Sequence, residues 1–405
     1  MERLEFPKGF FWGSATSSHQ VEGGNINDWS EWEKSPARLD HLKNKEHKFA
    51  NFVSERSCDS YNRYEEDFNI AAELGQNMHR FSIEWSRIEP EEGRFDASEM
   101  QHYIDVVKAL KARNIEPMVT LWHFTNPIWL AERGGVLNNR FPYYFLRYAV
   151  YVFENLKPYV KYWATFNEPD VYIGNSYIAG KWPPQKNGYF DAYNASKNFI
   201  KAHIQTYSRI KGTSHNIMLG IVINQAFNVV GKGIIQSIKG RLFNYFRNLY
   251  LIKKINPHFD FIGLNYYHVD RRTSGTFDIL PKQDFMPDLP WETYPQGIYF
   301  LLKKLWVRYK KPIFITENGI ADHYDVKRAK FIKEHLYWTL KAINEGIDVR
   351  GYLYWSLLDN FEWAYGYSPR FGLVEINRDT LERKIRPSAL EYAKICKSNT
   401  LEIGQ

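Results

Sequence analysis

Residues 258–267 read His258-Phe259-Asp260-Phe261-Ile262-Gly263-Leu264-Asn265-Tyr266-Tyr267. From Phe259 to Leu264 the run is apolar almost throughout, without the polar alternation of a strand wetted on one face. Such a run fits a parallel strand covered on both sides. Working outward from it, short β-rich runs recur at 10–16, 79–84, 116–122, 161–167, 218–223, 312–317 and 350–356, which with 259–267 makes eight. Helical patterns lie between or after them, at 60–74, 97–113, 141–157, 188–210, 234–254, 294–308, 326–345 and 387–397. In 141–157, Phe145, Tyr148, Val152 and Phe153 recur at spacings suited to one buried face; in 326–345, Phe331, Ile332, Leu336, Trp338, Leu340 and Ile343 fill a wider stripe.

Strict alternation of β and α elements predicts a parallel sheet, open and doubly wound or closed into a barrel. Eight repeats predict the closed (β/α)₈ TIM barrel of the α/β class, with its active site at the C-terminal ends of the strands. The first strand is not followed by a GxGxxG, which removes the best support for a dinucleotide-binding open sheet. A barrel of this kind takes about 250 residues, leaving roughly 155 for long loops over the strand C-termini. No composition break or Gly/Ser linker divides the 405 residues, so one domain is expected over 1–405.

Composition excludes several classes. Aromatic residues make up 17% of the chain, far from the depletion of disordered sequences. Rings with an apolar face and a polar tip can line a site as well as a core. Lys and Arg (53) exceed Asp and Glu (46) by only +7, with no block of five like charges, so no nucleic-acid partner is expected. Cys58 and Cys396 form no CxxC and no Cys/His ligand pattern, which predicts two buried free thiols and no structural metal. Neither a secretory h-region nor a membrane span is apparent, and a cytoplasmic location is expected.

Polar residues that packing alone would not choose sit at the strand ends. The first strand ends in Ser18-His19-Gln20, the second begins with Arg80, and the third ends in His123. Thr165-Phe166-Asn167-Glu168-Pro169 ends the fourth, Asn265-Tyr266-Tyr267 the sixth and Thr316-Glu317-Asn318-Gly319 the seventh. Trp355 lies on the eighth, followed by Asp359, Asn360, Glu362 and Trp363. One strand-end Glu has an ordinary reading as a salt-bridge partner or cap neighbour. Two, Glu168 and Glu317, on strands facing each other across the mouth and framed by Trp and Tyr, point to glycoside hydrolysis. That chemistry needs one carboxylic acid to protonate the leaving oxygen and a carboxylate to attack the anomeric carbon or activate water.

These motifs resemble those of family 1 of the glycoside hydrolases, the β-glucosidase family. The resemblance rests on Thr165-Phe166-Asn167-Glu168-Pro169 and Ile315-Thr316-Glu317-Asn318-Gly319, and on the N-terminal run Phe11-Trp12-Gly13-Ser14-Ala15-Thr16-Ser17-Ser18-His19-Gln20-Val21-Glu22-Gly23. It continues through Arg80–Arg87, Asn265-Tyr266-Tyr267, Tyr354-Trp355-Ser356, Asp359–Trp363 and Arg370-Phe371-Gly372-Leu373, in the right order over the whole chain. It implies a retaining exo-β-glycosidase without cofactor, acting on a β-glucoside or related β-glycoside. Glu168 is then the acid/base and Glu317 the nucleophile, their carboxyl groups about 5–5.5 Å apart. Arg80 and Tyr267 are expected to hold Glu317 as the anion, and Asn167 the sugar 2-hydroxyl. Gln20, His123, Glu362 and Trp363 complete the expected glycone pocket, with Trp355 as its floor and Phe371 beside it.

Asn265 is expected to support Tyr267, Trp85 and Trp129 to be core, and His19 receives no role. Glu362 argues against a 6-phosphosugar, and Glu168 against a thioglucosidase. Glucose is the first expectation for the glycone, with some galactoside and fucoside hydrolysis. A mannosidase, or an enzyme preferring alkyl or aryl glycosides, is the alternative within the family. A catalytically weak carbohydrate-binding protein on the same scaffold is the rival from another class. The connection after Asn224-Gln225-Ala226-Phe227 is short, which predicts a wider aglycone entrance, and the aromatic stretch 242–250 is expected to be barrel packing.

Overall fold

The computed structural model describes residues 2–43, 49–228, 250–270, 289 and 291–403. Eight parallel strands close a barrel: β1 (Phe11–Ala15), β2 (Met78–Ser82), β3 (Glu116–Trp122), β4 (Tyr162–Asn167), β5 (Met218–Asn224), β6 (Ile262–Asn265), β7 (Ile313–Asn318) and β8 (Val349–Trp355). Each pairs with its neighbour in chain order, and β8 closes on β1 through Gly351 opposite Phe11. The larger outer helices are α1 (Ser60–Glu73), α2 (Ala97–Ala112), α3 (Phe141–Leu156), α4 (Tyr189–Lys211), α5 (Tyr250–Ile255), α6 (Gln296–Tyr309), α7 (Arg328–Asn344) and α8 (Pro387–Ser398).

The expected strands and helices coincide with these to within a few residues. The predicted strand 259–267 is shorter, because Tyr266 and Tyr267 already belong to the loop above β6. Of the predicted helix 234–254, residues 234–249 lie outside the described residues, as does 242–249 of the aromatic stretch. Ser18-His19-Gln20 is not strand but a one-turn helix, Ser18–Val21, lying over the barrel mouth. A short antiparallel pair, Glu2–Glu5 with Thr400–Ile403, ties the chain ends together.

Burial follows the sequence pattern. In α3, Phe145, Tyr148, Val152 and Phe153 are buried, joined by Phe141, Tyr144, Ala149 and Leu156. In α7, Phe331, Ile332, Leu336 and Leu340 are buried, while Trp338 and Ile343 are only partly covered. Trp85 and Trp129 are core, Trp85 stacking on Tyr148 with centroids 4.7 Å apart. Cys58 and Cys396 are buried and free.

The N-terminal end of the barrel is plugged by Met78, Met118, Tyr162, Phe261, Phe314 and Leu353. Their rings meet edge-on, Phe261 on Phe314 at 5.2 Å and Phe314 on Tyr162 at 5.4 Å, a favourable arrangement for aromatic quadrupoles. With the lower barrel filled, polar groups can converge only at the opposite end. There the register sets them side by side: Asn224 of β5 lies opposite Asn265 of β6, and Asn265 opposite Glu317 of β7.

Candidate active site

Glu317 is the most tightly held group at the mouth. Arg80, in the middle of β2 and wholly buried, donates from Nη1 to Glu317 Oε1 at 2.5 Å. Its Nη2 donates to Asn167 Oδ1 at 2.7 Å and its Nε to Thr120 Oγ1 at 2.9 Å, so the guanidinium plane is fixed. The Tyr267 hydroxyl donates to the other oxygen, Glu317 Oε2, at 2.5 Å. Both oxygens of Glu317 thus receive strong donors, one of them charged.

Glu168 has different surroundings. It leaves β4 in the left-handed region, φ 43° and ψ 52°, and caps the helix Pro169–Ile173. A non-glycine residue held there carries backbone strain of the kind that collects at functional sites. Its Oε1 accepts from two neutral amides, Asn265 Nδ2 at 2.7 Å and Asn224 Nδ2 at 2.9 Å. Asn265 in turn accepts from Thr316 Oγ1 at 2.7 Å, which settles its amide orientation. Asn265 therefore serves Glu168 rather than Tyr267. The expectation placed it beside its sequence neighbour, but its side chain reaches across to β4.

Charge follows from these contacts. Burial pushes Glu168 up to about 8, and the nearby Glu317 adds to the rise, which two amide donors only partly offset. Glu362 is pushed up to about 8 by burial and then by Glu317. Burial also lifts Glu317 above the usual carboxylate value, but the Arg80 charge and the Tyr267 hydroxyl act against it. Among the described residues Arg80 forms an ion pair with Glu317 and with neither Glu168 nor Glu362. The anion therefore resides on Glu317, while Glu168 and Glu362 carry protons at neutral pH.

The other expected pocket residues converge here, with the exception of Gln20. His123, Asn167, Tyr267, Trp355, Glu362, Trp363 and Phe371 border one cavity of about 1390 Å³, together with Glu168 and Glu317. Gln20 and Arg80 lie just behind it, both fully buried. Gln20 Nε2 donates to Phe361 O at 2.8 Å, Asn360 Oδ1 at 3.1 Å and Glu362 Oε2 at 3.4 Å, so it fixes the loop carrying Glu362.

Asn167 Nδ2 donates to His123 Nε2 at 3.0 Å, leaving one amide hydrogen uncommitted. Burial, with the Arg80 charge behind it, holds His123 well below its ordinary value, so the ring is neutral. With Nε2 accepting, the proton sits on Nδ1, a buried donor with no hydrogen-bond partner among the described residues. Trp363 lies parallel to His123 at 5.9 Å, and Trp355 does so at 6.1 Å. Phe371 packs edge-on against Tyr267 at 6.1 Å.

Two contributors escaped the sequence reading. Asn224 ends β5 as a polar residue after an apolar run, the same signal that marked the other strand ends. His19 stacks on Trp363 at 5.5 Å, its planes 13° apart, and its Nε2 donates to Glu33 Oε1 at 2.8 Å. The Asn27 carbonyl is already taken by the amides of Trp29 and Ser30, so its NH₂ donates to His19 Nδ1 at 3.1 Å. Nothing in the sequence links Glu33 to His19, since the pairing needs the fold.

A closed eight-stranded barrel with a clamped carboxylate and a protonated one at its mouth defines a glycoside hydrolase. Comparison with known proteins narrows this. The sequence matches Glycosyl hydrolase family 1 over residues 2–231 and 250–401. It is 33% identical to β-glucosidase A of Thermotoga maritima over 99% of this chain and all of that protein. It is 30% identical to a β-galactosidase of Sulfolobus acidocaldarius, covering 98% and 96% of the two chains. Among solved structures, a β-glycosidase from Pyrococcus horikoshii superposes with a TM-score of 0.89 at 35% identity, covering 99% of this chain and 97% of that one. The chain belongs to glycosyl hydrolase family 1 and is a β-glycosidase. No helix among the described residues is long and apolar enough to cross a membrane.

Proposed function

We propose that this β-glycosidase is a retaining, exo-acting β-glucosidase in which Glu317 is the nucleophile and Glu168 the acid/base. The observation that carries the reading is the contrast between the two carboxyl groups. Glu317 is held by a guanidinium and a phenol; Glu168 is held by neutral amides and keeps a proton. Two carboxyl groups pushed apart in this way take the two roles that glycoside cleavage requires.

Glu317 attacks the anomeric carbon as Glu168 protonates the departing oxygen, giving a glycosyl-enzyme. Esterification removes the Glu317 charge and with it one cause of the raised Glu168 value. Glu168 then gives up its proton more readily and can deprotonate the incoming water. The free amide hydrogen of Asn167 serves the 2-hydroxyl, the Nδ1 proton of His123 and the carboxyl of Glu362 serve hydroxyls farther round the ring, and Trp355 forms the floor. The curated relatives named β-glucosidase and β-galactosidase support gluco- and galacto-configured glycones.

A panel of nitrophenyl β-glucoside, galactoside, fucoside and mannoside tests the reading, with the product anomer followed by NMR. The expected outcome is fastest turnover of the glucoside with β-anomer appearing first. Initial α-anomer, or full activity in Glu317→Gln, refutes it. kcat/KM falls as pH rises through about 8, because the free enzyme then loses the Glu168 proton. Glu168→Gln flattens that limb and slows substrates with poor leaving groups more than a dinitrophenyl glycoside.

A further inference from the structure

The same cavity extends well beyond the glycone pocket, and its outer wall has a chemistry that sugar hydrolysis does not explain. Outward from Trp363 the wall continues through Trp182, at 6.1 Å, to Trp29 and Trp32, each 5.1–5.3 Å from the last. Trp32, Trp182 and Trp363 border the cavity. Two cations frame this aromatic wall. Arg38 lies over the Trp32 ring at 4.7 Å and over Phe52 at 5.6 Å, and Lys181 immediately precedes Trp182. Both border the cavity.

Arg38 is only 8% exposed, yet among the described residues no carboxylate lies within ion-pair distance of it. Among the described residues its side chain makes a hydrogen bond from Nη2 to the carbonyl of Ala364, at 2.7 Å, and its buried Nε meets no acceptor. Lys181, exposed at the rim, also lacks a carboxylate partner among the described residues. Burial lowers the Arg38 pKa, and the Glu33 charge, which is not in ion-pair contact, opposes that only in part; an aromatic stack leaves the guanidinium edge available to a planar anion. At the inner end, Glu168 and Glu362 carry protons and Glu317 is paired with Arg80, so the catalytic centre does not repel an anion in the outer cavity.

We propose that the outer cavity receives aryl aglycones bearing a carboxylate, the ring lying along the tryptophan wall and the carboxylate meeting Arg38 and Lys181. The inference rests on the β-glycosidase reading of the site and names the leaving-group class that site selects. A neutral aryl aglycone gains the stacking but gives Arg38 no direct ion pair, leaving it only the Glu33 charge beyond contact distance.

The test uses the full-length enzyme and two matched substrates: 4-(2-carboxyethyl)phenyl β-glucoside and its primary amide. They differ in charge but hardly in shape or in leaving-group acidity. The ratio of their kcat/KM values is read within each protein, so a general loss of activity cancels. At low salt the wild type prefers the carboxylate about three- to five-fold, through KM, the size of a partly screened ion pair. Added salt lowers the ratio, and Arg38→Met and Lys181→Met each bring it towards one. Lys181 is exposed, so its variant keeps the test valid should Arg38→Met fail to fold. Equal turnover of the two substrates by the wild type, or a ratio that neither substitution moves, overturns the proposal. Failure of the underlying reading has a different mark: Glu317→Gln then still hydrolyses the amide substrate.

Discussion

Tyr267 shows how one side chain can set a catalytic charge. Its hydroxyl is one of two strong donors on Glu317, and burial beside Glu317, Glu168 and Glu362 holds its own pKa well above the ordinary phenol value, so it remains a donor. Tyr267→Phe deletes that donor and leaves Arg80 in place. A hydrogen bond to a charged group contributes about 1.5–3 kcal/mol, so kcat should fall roughly 10- to 100-fold. Losing a donor also raises the pKa of Glu317, which the proposed mechanism requires as the anion. The acid limb of the pH–rate profile therefore moves to higher pH, with the basic limb unchanged. A profile that only loses height without moving its acid limb counts against the clamp. His19 works at one further remove, holding Trp363 parallel to its own ring while Glu33 and Asn27 fix its tautomer.

At the level of elements, the strand ends decide which groups meet. Gly319, just past β7, lets the chain pass so close to β8 that an added Cβ would lie 1.8 Å from the Trp355 carbonyl oxygen. Gly319→Ala must push the two strand ends apart, displacing Glu317 and Trp355 together. Overpacking of this kind costs about 1–3 kcal/mol, and a 1 Å displacement of a catalytic group costs about 100-fold in rate. Thermal melting and kcat/KM measured side by side check both.

Most elements are legible in the sequence because burial on both faces and helical periodicity leave one-dimensional traces; the strand Glu116–Trp122 is read to the residue. Polar residues at or just past apolar strand ends likewise flag Glu168, Glu317 and Tyr267, while Arg80, inside its strand, is tied to them by the motif resemblance. Asn265 is different: its role depends on a side chain crossing to β4, which periodicity cannot show. The left-handed backbone of Glu168 and the pairing of Glu2–Glu5 with Thr400–Ile403 are likewise products of the closed fold.

Over the whole molecule, the site carries a pH-dependent cost. Glu168 and Glu362 have folded pKa values of about 8, against an ordinary 4.5. Raised values mean that their protonated forms suit the fold: the contribution is full below the ordinary value and is lost as pH rises through about 8. Glutamine cannot acquire the charge. Glu168→Gln and Glu362→Gln should therefore melt above the wild type at pH 9, by the equivalent of a few kcal/mol at most. The advantage should vanish near pH 4. Equal melting temperatures at pH 9 contradict the assignment of protons.

The aromatic richness of the chain also resolves at this scale: most rings fill the core between barrel and helices, while others plug one end of the barrel or line the cavity at the other. What stands between them is the claim that Glu317 forms a covalent bond to the sugar. Incubation with dinitrophenyl 2-deoxy-2-fluoro-β-glucoside, followed by mass spectrometry of the digested protein, tests it directly. The account predicts one fluoroglucosyl unit per inactivated chain, on the peptide carrying Glu317. A label on Glu168 or Glu362, or continued turnover with no label on any peptide, contradicts it.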